Sequence, residues 1–185
     1  MEVQRRSQHR TRRWANGLGT TAEVFVSPPG NAEFTWRLSI ASVAENGPFS
    51  LLAGIDRHIL VASGKGMRLS INGAMPVELG VGTPPLSFDG ASDTVCHLID
   101  GPVQDLNLMV RRGVASGGLR LVPLAIGETA RPDARDVAVV VLSGTVSLGD
   151  DHLVAFDAVR CTQPHIDLVA QDSAILAFAA VGPPT

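Results

Sequence analysis

One strand–turn–strand module occurs twice in this chain. Leu60-Val61-Ala62-Ser63-Gly64 followed by Met67-Arg68-Leu69-Ser70 resembles Val141-Leu142-Ser143-Gly144 followed by Thr145-Val146-Ser147-Leu148, and the two Ser-Gly turns lie 80 residues apart. Further short apolar runs follow in each half: Leu86 to Phe88 and Val95 to Ile99, then His152 to Val159 and Ala174 to Ala180. A duplicated unit of this period predicts two small jelly-roll barrels packed together. The expected fold class is all-β, a cupin-type double-stranded β-helix in the two-barrel arrangement called a bicupin. Residues 1–113 form one half and 114–185 the other, within one unit. Chance similarity between Gly-punctuated β segments is the competing reading.

The punctuation between modules agrees with an all-β chain. Runs rich in β-branched and apolar residues (Glu23 to Val26, Phe34 to Val43, His58 to Ala62, Met67 to Ile71, Leu106 to Val110) are bounded by Gly, Pro, Asn and Asp. Asn72-Gly73 suits a tight hairpin, and Pro28-Pro29 and Pro84-Pro85 mark connections, because proline donates no ladder hydrogen bond. No long helical period occurs, and Arg112 to Gly118 reads as a loop or short helix joining the halves.

At 185 residues and 45% hydrophobic, the chain can bury a proper core. A formal net charge of −3 argues against a dedicated nucleic-acid binder, which needs a basic footprint. The basic cluster Arg5, Arg6, Arg10, Arg12 and Arg13 reads as a solvated strand face leading into Trp14. Neither an export signal nor a membrane-spanning run is legible. Two cysteines, Cys96 and Cys161, are too few for a disulfide framework. The expected location is cytoplasmic. Expected partners are a small anionic metabolite and neither nucleic acid nor membrane, with a homodimer left open.

Two polar motifs stand out from this background. Near the start is Trp14-x-Asn16-Gly17-x-Gly19-x-Thr21-x-Glu23, and mid-chain is Asp105-x-Asn107-x-Met109-x-Arg111-Arg112. Period-2 alternation sends Asp105, Asn107, Met109 and Arg111 to one strand face and Leu106, Leu108 and Val110 to the other. The second row suits a core; the first needs solvent or a ligand. In the N-terminal motif, glycines allow close approach of backbone N–H groups to a bound group, with amide, hydroxyl and carboxylate side chains beside them.

Taken in order, Trp14 to Glu23, Trp36-Arg37-Leu38-Ser39-Ile40-Ala41, Gly47-Pro48-Phe49-Ser50 through Gly54-Ile55-Asp56-Arg57, Phe88-Asp89-Gly90, and Gly101-Pro102 through Arg112 resemble the HutD/Ves family. The motif resemblance runs from about Val3 to Gly113; the second half matches by fold pattern. It implies a cupin-type double barrel and, for HutD members, an association with bacterial histidine utilisation and the binding of an intermediate such as formylglutamate. Ves-like members lack that pathway link. Two positions depart from the pattern: Leu18 stands where a third glycine is usual, and Ala15 where lysine is common.

Other chemistries fit poorly. Metal-dependent cupins use two histidines one residue apart plus a Glu and a later His, whereas His9, His58, His97, His152 and His165 are scattered, so no metal and no cofactor are expected. Gly17-x-Gly19-x-x-Ala22 matches a dinucleotide fingerprint in form, but Glu23 to Val26 continues as a strand and supplies no helix N-terminus. No nucleophile elbow occurs. The candidate ligand-binding set is Trp14, Asn16, Gly17, Gly19, Thr21, Glu23, Arg37, Arg57, Asp105, Asn107, Arg111 and Arg112, whose donors and charges suit a small carboxylate or formamide. No catalytic residue is assigned. The structural alternative pairs Asp56 with a neighbouring arginine, has Asp105 and Asn107 satisfy loop backbone, and puts Trp14 and Trp36 in the core. Three function classes remain: a non-catalytic, regulatory small-molecule binder; a metal-independent enzyme with Glu23 or Asp105 as general base; and an interaction module whose polar motif braces the barrel.

Overall fold

The computed structural model describes residues 2–14, 17–30, 33–162 and 166–184. Among these, nineteen strands form four sheets, and the only helical element is a 3-10 turn at Arg6–Gln8. No helix of the described residues is long and apolar enough to cross a membrane.

The largest sheet has six strands, in the spatial order Arg10–Arg13, Gly19–Ser27, Trp36–Val43, Val103–Arg111, Ile55–Ser63 and Leu86–Asp89. A four-stranded sheet (Gly47–Pro48, Thr94–Leu98, Met67–Ile71, Val77–Leu79) completes the first half. The second half has a five-stranded sheet, in the order Glu2–Gln4, Ala158–Arg160, Asp136–Ser143, Ala174–Gly182 and Ser116–Leu124. Its companion sheet runs Thr129–Ala130, Leu168–Ala170, Val146–Leu148 and Asp151–Leu153.

Strand pairing repeats between the halves. The eight strands from Trp36–Val43 to Val103–Arg111 pair with one another as do the eight from Ser116–Leu124 to Ala174–Gly182. The two Ser-Gly turns sit at equivalent corners. A Cβ on Gly64 would meet the Pro102 carbonyl oxygen at 2.6 Å, and one on Gly144 the Ser173 oxygen at 2.5 Å, each at the start of its half's last strand. Three strands precede the first repeat. Two extend the six-stranded sheet, while Glu2–Gln4 pairs with Ala158–Arg160 in the other half, so the N-terminus crosses a division at residue 113.

The alternation of the long strands explains the layering. Leu38, Ile40, Leu106, Leu108, Val110 and Leu60 turn toward the second half and pack with Ala138, Val140, Ala177 and Ala179 in a shared core. Trp36 belongs to this core, with the Arg160 guanidinium 5.3 Å from its ring centre. The segment 112–118, expected as a loop or short helix, turns at once into the strand Ser116–Leu124. Gly117-Gly118 and Pro123 masked that strand. Gly117 is needed because a Cβ there would lie 2.6 Å from Val110 Cγ2, and Pro123 is tolerated because the strand is at a sheet edge.

Candidate functional site

The opposite face of the six-stranded sheet lines the interior of the first half, and that interior is divided. One part is apolar, packed by Val43, Ile59, Val61, Met67, Leu69 and Cys96. The other is a cavity of about 580 Å³. Cross-strand register builds its polar floor: Asn107 is paired with Ser39, Met109 with Arg37 and Arg57, and Asp105 with Ala41. The neighbouring strand adds Thr21 opposite Ala41 and Glu23 opposite Ser39. Trp14, Phe34, Phe49 and Leu52 supply the apolar part of the lining.

The same register in the second half shows that the fold does not require these polar groups. Asp105 pairs with Val61 and Asn107 with Ile59; at the equivalent points Leu176 pairs with Val141 and Phe178 with Val139. Those residues form a closed apolar core with Leu153 and Leu168. The first half therefore keeps a buried carboxyl and a buried amide where its repeat carries Leu and Phe.

Asp105, Asn107, Ser39 and Arg57 are all buried, and among the described residues no hydrogen-bond partner meets Asp105 Oδ1, Asn107 Oδ1, Ser39 Oγ or Arg57 Nε, nor Arg37 Nε beside them. Buried polar atoms are nearly always paired, so five such atoms around one cavity make it the candidate place for a ligand's hydrogen bonds. The Arg57 guanidinium is held between two rings, 4.9 Å from the centre of Phe49 and 5.1 Å from that of Phe88. Burial lowers its pKa to about 10, opposed by Asp105. Burial also pushes the Asp105 carboxyl up to about 7, opposed by Arg57. Arg37 is likewise lowered by burial, with Glu23 holding it up and Arg12 pushing it down. Its Nη2 lies 3.1 Å from Met109 Sδ, and its guanidinium sits 4.9 Å from the centre of Phe34.

Of the residues expected from sequence, Trp14, Thr21, Glu23, Arg37, Arg57, Asp105 and Asn107 line this one cavity. Trp14 Nε1 donates to Thr21 Oγ1 at 2.7 Å, and its ring meets Phe49 edge-on at 6.5 Å. Asn16 and Ala15 lie outside the described residues. Four others stand off the lining. Gly17 closes the turn, its N–H donating to the Trp14 carbonyl, at φ +76°. Gly19 lets its strand pass close to the Ser42 carbonyl oxygen and the Trp14 ring. Gly19 thus serves close chain packing, and Gly17 a left-handed turn position with open space around it. Leu18 packs over Gly47. Arg111 donates from Nε to the Phe34 carbonyl at 2.9 Å. Arg112 forms exposed ion pairs with Asp56 and Asp89, at 2.5 and 2.9 Å, because the strand ends there and turns outward.

Sequence reasoning did not place Ser39, Phe49 or the arginine strand in the candidate site. Arg10 and Arg12, read as a solvated face, pair with Glu23 and Thr21 and line the cavity with Arg13. Ser39 becomes relevant only through its register with Asn107, which no local pattern reveals. Among the described lining residues there are five arginines, two carboxylates, and no histidine or cysteine. The described residues hold no cluster of three or more metal-ligating side chains. Burial pushes both thiols, Cys96 and Cys161, up to about 12, which suits inert core cysteines.

Residues 6–178 match the family model HutD. Protein Ves of Citrobacter koseri is 36% identical over 143 residues, 77% of this chain and 73% of that protein. An uncharacterized 21.2 kDa protein of the hutC 3′ region of Pseudomonas putida is 41% identical over 97 residues, 52% of this chain and 50% of that protein. Among solved structures, HutD from Pseudomonas fluorescens aligns with a TM-score of 0.78 at 30% identity, covering 97% of this chain and 98% of that one. The Escherichia coli pirin YhhW aligns at 0.68 with 10% identity, over 100% of this chain and 99% of that one. That likeness is one of fold, and it makes the all-β architecture cupin-type.

Proposed function

This chain belongs to the HutD family, whose members are associated with histidine-utilisation genes, and we propose that its first-half cavity binds a small carboxylate of that chemistry without turning it over. The observation that carries the reading is the set of unpartnered buried atoms on the cavity floor. Arg37 Nε and Arg57 Nε are donors seeking an anion or carbonyl; Asn107 Oδ1 is an acceptor seeking an N–H. A molecule that offers a carboxylate and an amide N–H answers both, and N-formylglutamate is the simplest such compound in histidine breakdown. Five arginines against two carboxylates give the cavity a positive field that concentrates anions.

A binder is favoured over a catalyst because the described lining holds no histidine or cysteine, and its two carboxylates, Glu23 and Asp105, stand on strands separated by a third. One observation favours an enzyme: a carboxyl pushed up to about 7 suits a general base near neutral pH. The repeated strand pairing supports reading the two halves as a bicupin forming one unit, with the second barrel as structural support. In this reading the protein is a cytoplasmic regulator that senses or buffers the metabolite.

Calorimetric titration of N-formylglutamate, glutamate, urocanate and histidine tests the proposal, with product analysis of any mixture that binds. Wild type binds N-formylglutamate. Arg57→Ala and Asn107→Ala weaken it more than tenfold, as expected for roughly 2–5 kcal/mol per buried charge-assisted contact. Binding of none of the four compounds overturns the reading, and turnover of the bound compound replaces it with the enzyme.

A further inference from the structure

The floor and the mouth of the cavity come from different strands, and we propose that they are two anion subsites, so that the ligand is a dianion whose second charged group is held by Arg10 and Arg12. The inference rests on the preceding reading of the cavity as a ligand site. Two cross-strand rows connect the subsites. Arg12 pairs with Thr21, Thr21 with Ala41, and Ala41 with Asp105; one step along, Arg10 pairs with Glu23, Glu23 with Ser39, and Ser39 with Asn107. Each row spans four adjacent strands, or about 14 Å of backbone at the usual strand spacing. Arg10 and Arg12 are exposed residues of the outer strand that line the cavity's edge, while Arg57 is buried on the strand beyond Asp105 and Asn107, so a short chain with charge at both ends can lie between them. A monoanion neutralises one end alone.

Charge at the mouth is the larger imbalance. Arg10, Arg12 and Arg37 surround a single carboxylate, Glu23, and Arg12 already depresses the ionisation of Arg37. None of Arg10, Arg12 and Arg13 is in an ion pair among the described residues. Basic residues on an edge strand often serve only to discourage edge-to-edge association. That role is met from any strand face, whereas Arg10 and Arg12 share the face of Glu23 and Thr21 and line the cavity. The deep end has a different character: Arg57 is fixed between two phenyl rings beside the unpartnered Asn107 and Asp105. It suits the end of the ligand that carries both a charge and hydrogen-bonding groups, and the mouth suits a bare second carboxylate.

The test compares N-formyl-L-glutamate with N-formyl-L-glutamine, which has the same shape and lacks the distal charge. Both are titrated calorimetrically into the full chain, the double variant Arg10→Gln/Arg12→Gln, Arg57→Gln, and the charge-matched surface control Arg68→Gln/Arg131→Gln. Wild type and the control bind the dianion at least tenfold more tightly than the monoanion. The mouth variant brings that ratio within about twofold by weakening only the dianion, and Arg57→Gln weakens both compounds. Equal wild-type affinity for the two compounds, or an unchanged ratio in the mouth variant, overturns the second subsite and leaves the cavity reading standing. Equal loss of discrimination in the surface control assigns the effect to overall charge and also overturns it. Binding of neither compound to wild type overturns both.

Discussion

Arg57 and Asp105 stand on adjacent strands inside the first half, both buried, each opposing the effect of burial on the other's ionisation while Arg57 Nε and Asp105 Oδ1 have no hydrogen-bond partner among the described residues. A fold under selection for stability alone would have paired or removed these charges, since burying an incompletely paired ion is costly. Their persistence in one barrel, when the repeat fills the same level with Leu176 and Phe178, is the contrast on which the proposed site in the first half rests.

Asp105 makes stability depend on pH in a definite direction. Its carboxyl takes up a proton near pH 7 in the folded protein and near the ordinary value of 3.8 when unfolded, so between these values the folded state holds more protons. Stability therefore falls as pH rises from about 4 to about 7. Urea unfolding of wild type and Asp105→Asn from pH 5 to 8 reads this: the wild-type curve declines relative to the variant, by at most roughly 3 kcal/mol over that range. Parallel curves would show that the carboxyl titrates normally. An anion in the cavity favours the protonated carboxyl, so affinity for N-formylglutamate rises as pH drops through 7 and loses that dependence in Asp105→Asn.

Replacing a polar group of the proposed site by an apolar one of similar size should stabilise the protein and weaken its ligand binding. Asn107→Leu removes an unpartnered buried oxygen and copies the apolar character of the second barrel. The expected gain is about 1 kcal/mol in unfolding free energy, a Tm higher by a few degrees, and more than tenfold weaker ligand binding. A lower Tm would mean that the amide makes structural hydrogen bonds.

The two glycines of the N-terminal motif act through packing and turn geometry. Gly19→Ala pushes a Cβ into the Ser42 carbonyl and the Trp14 ring, and should cost about 1–3 kcal/mol. Gly17→Ala meets open space but at φ +76°, and should cost about 1 kcal/mol. Thermal denaturation of both variants, with affinity measured below the transition, separates this from a role in holding the ligand. Unchanged Tm with lost affinity would restore the glycines to the site.

The halves should not fold apart. Glu2–Gln4 completes the second half's sheet, the Arg6 N–H donates to Asp157 Oδ1 at 2.9 Å, and Arg5 pairs with Asp157 at 3.0 Å. A fragment of residues 1–113 carries this tether without its partner and exposes the face of Leu38, Leu106 and Leu108. Circular dichroism of that fragment should show no cooperative transition, and co-expression with 114–185 should restore one. A sharp melt of the fragment alone would contradict it.

Strand identity was legible because alternation and turn residues are local: Met67–Ile71 is observed at the bounds its pattern predicts, and Asn72-Gly73 turns with φ of +51° and +71°. The strand Ser116–Leu124 was not, because Gly117 is there for a neighbour, Val110, that lies in another strand. The candidate site followed the same rule. The Asp105-x-Asn107 alternation declared a polar face, and the Ser-Gly repeat declared two similar halves. Tertiary structure decided what the polar face meets. Long-range pairing brought Ser39 beside Asn107 and set Arg10 and Arg12 opposite Glu23 and Thr21 at the cavity's edge, and the end of a strand turned Arg112 out to Asp56 and Asp89. A residue's alternation along its own strand is set by the backbone next to it, but its partners across the sheet are set by register with segments tens of residues away.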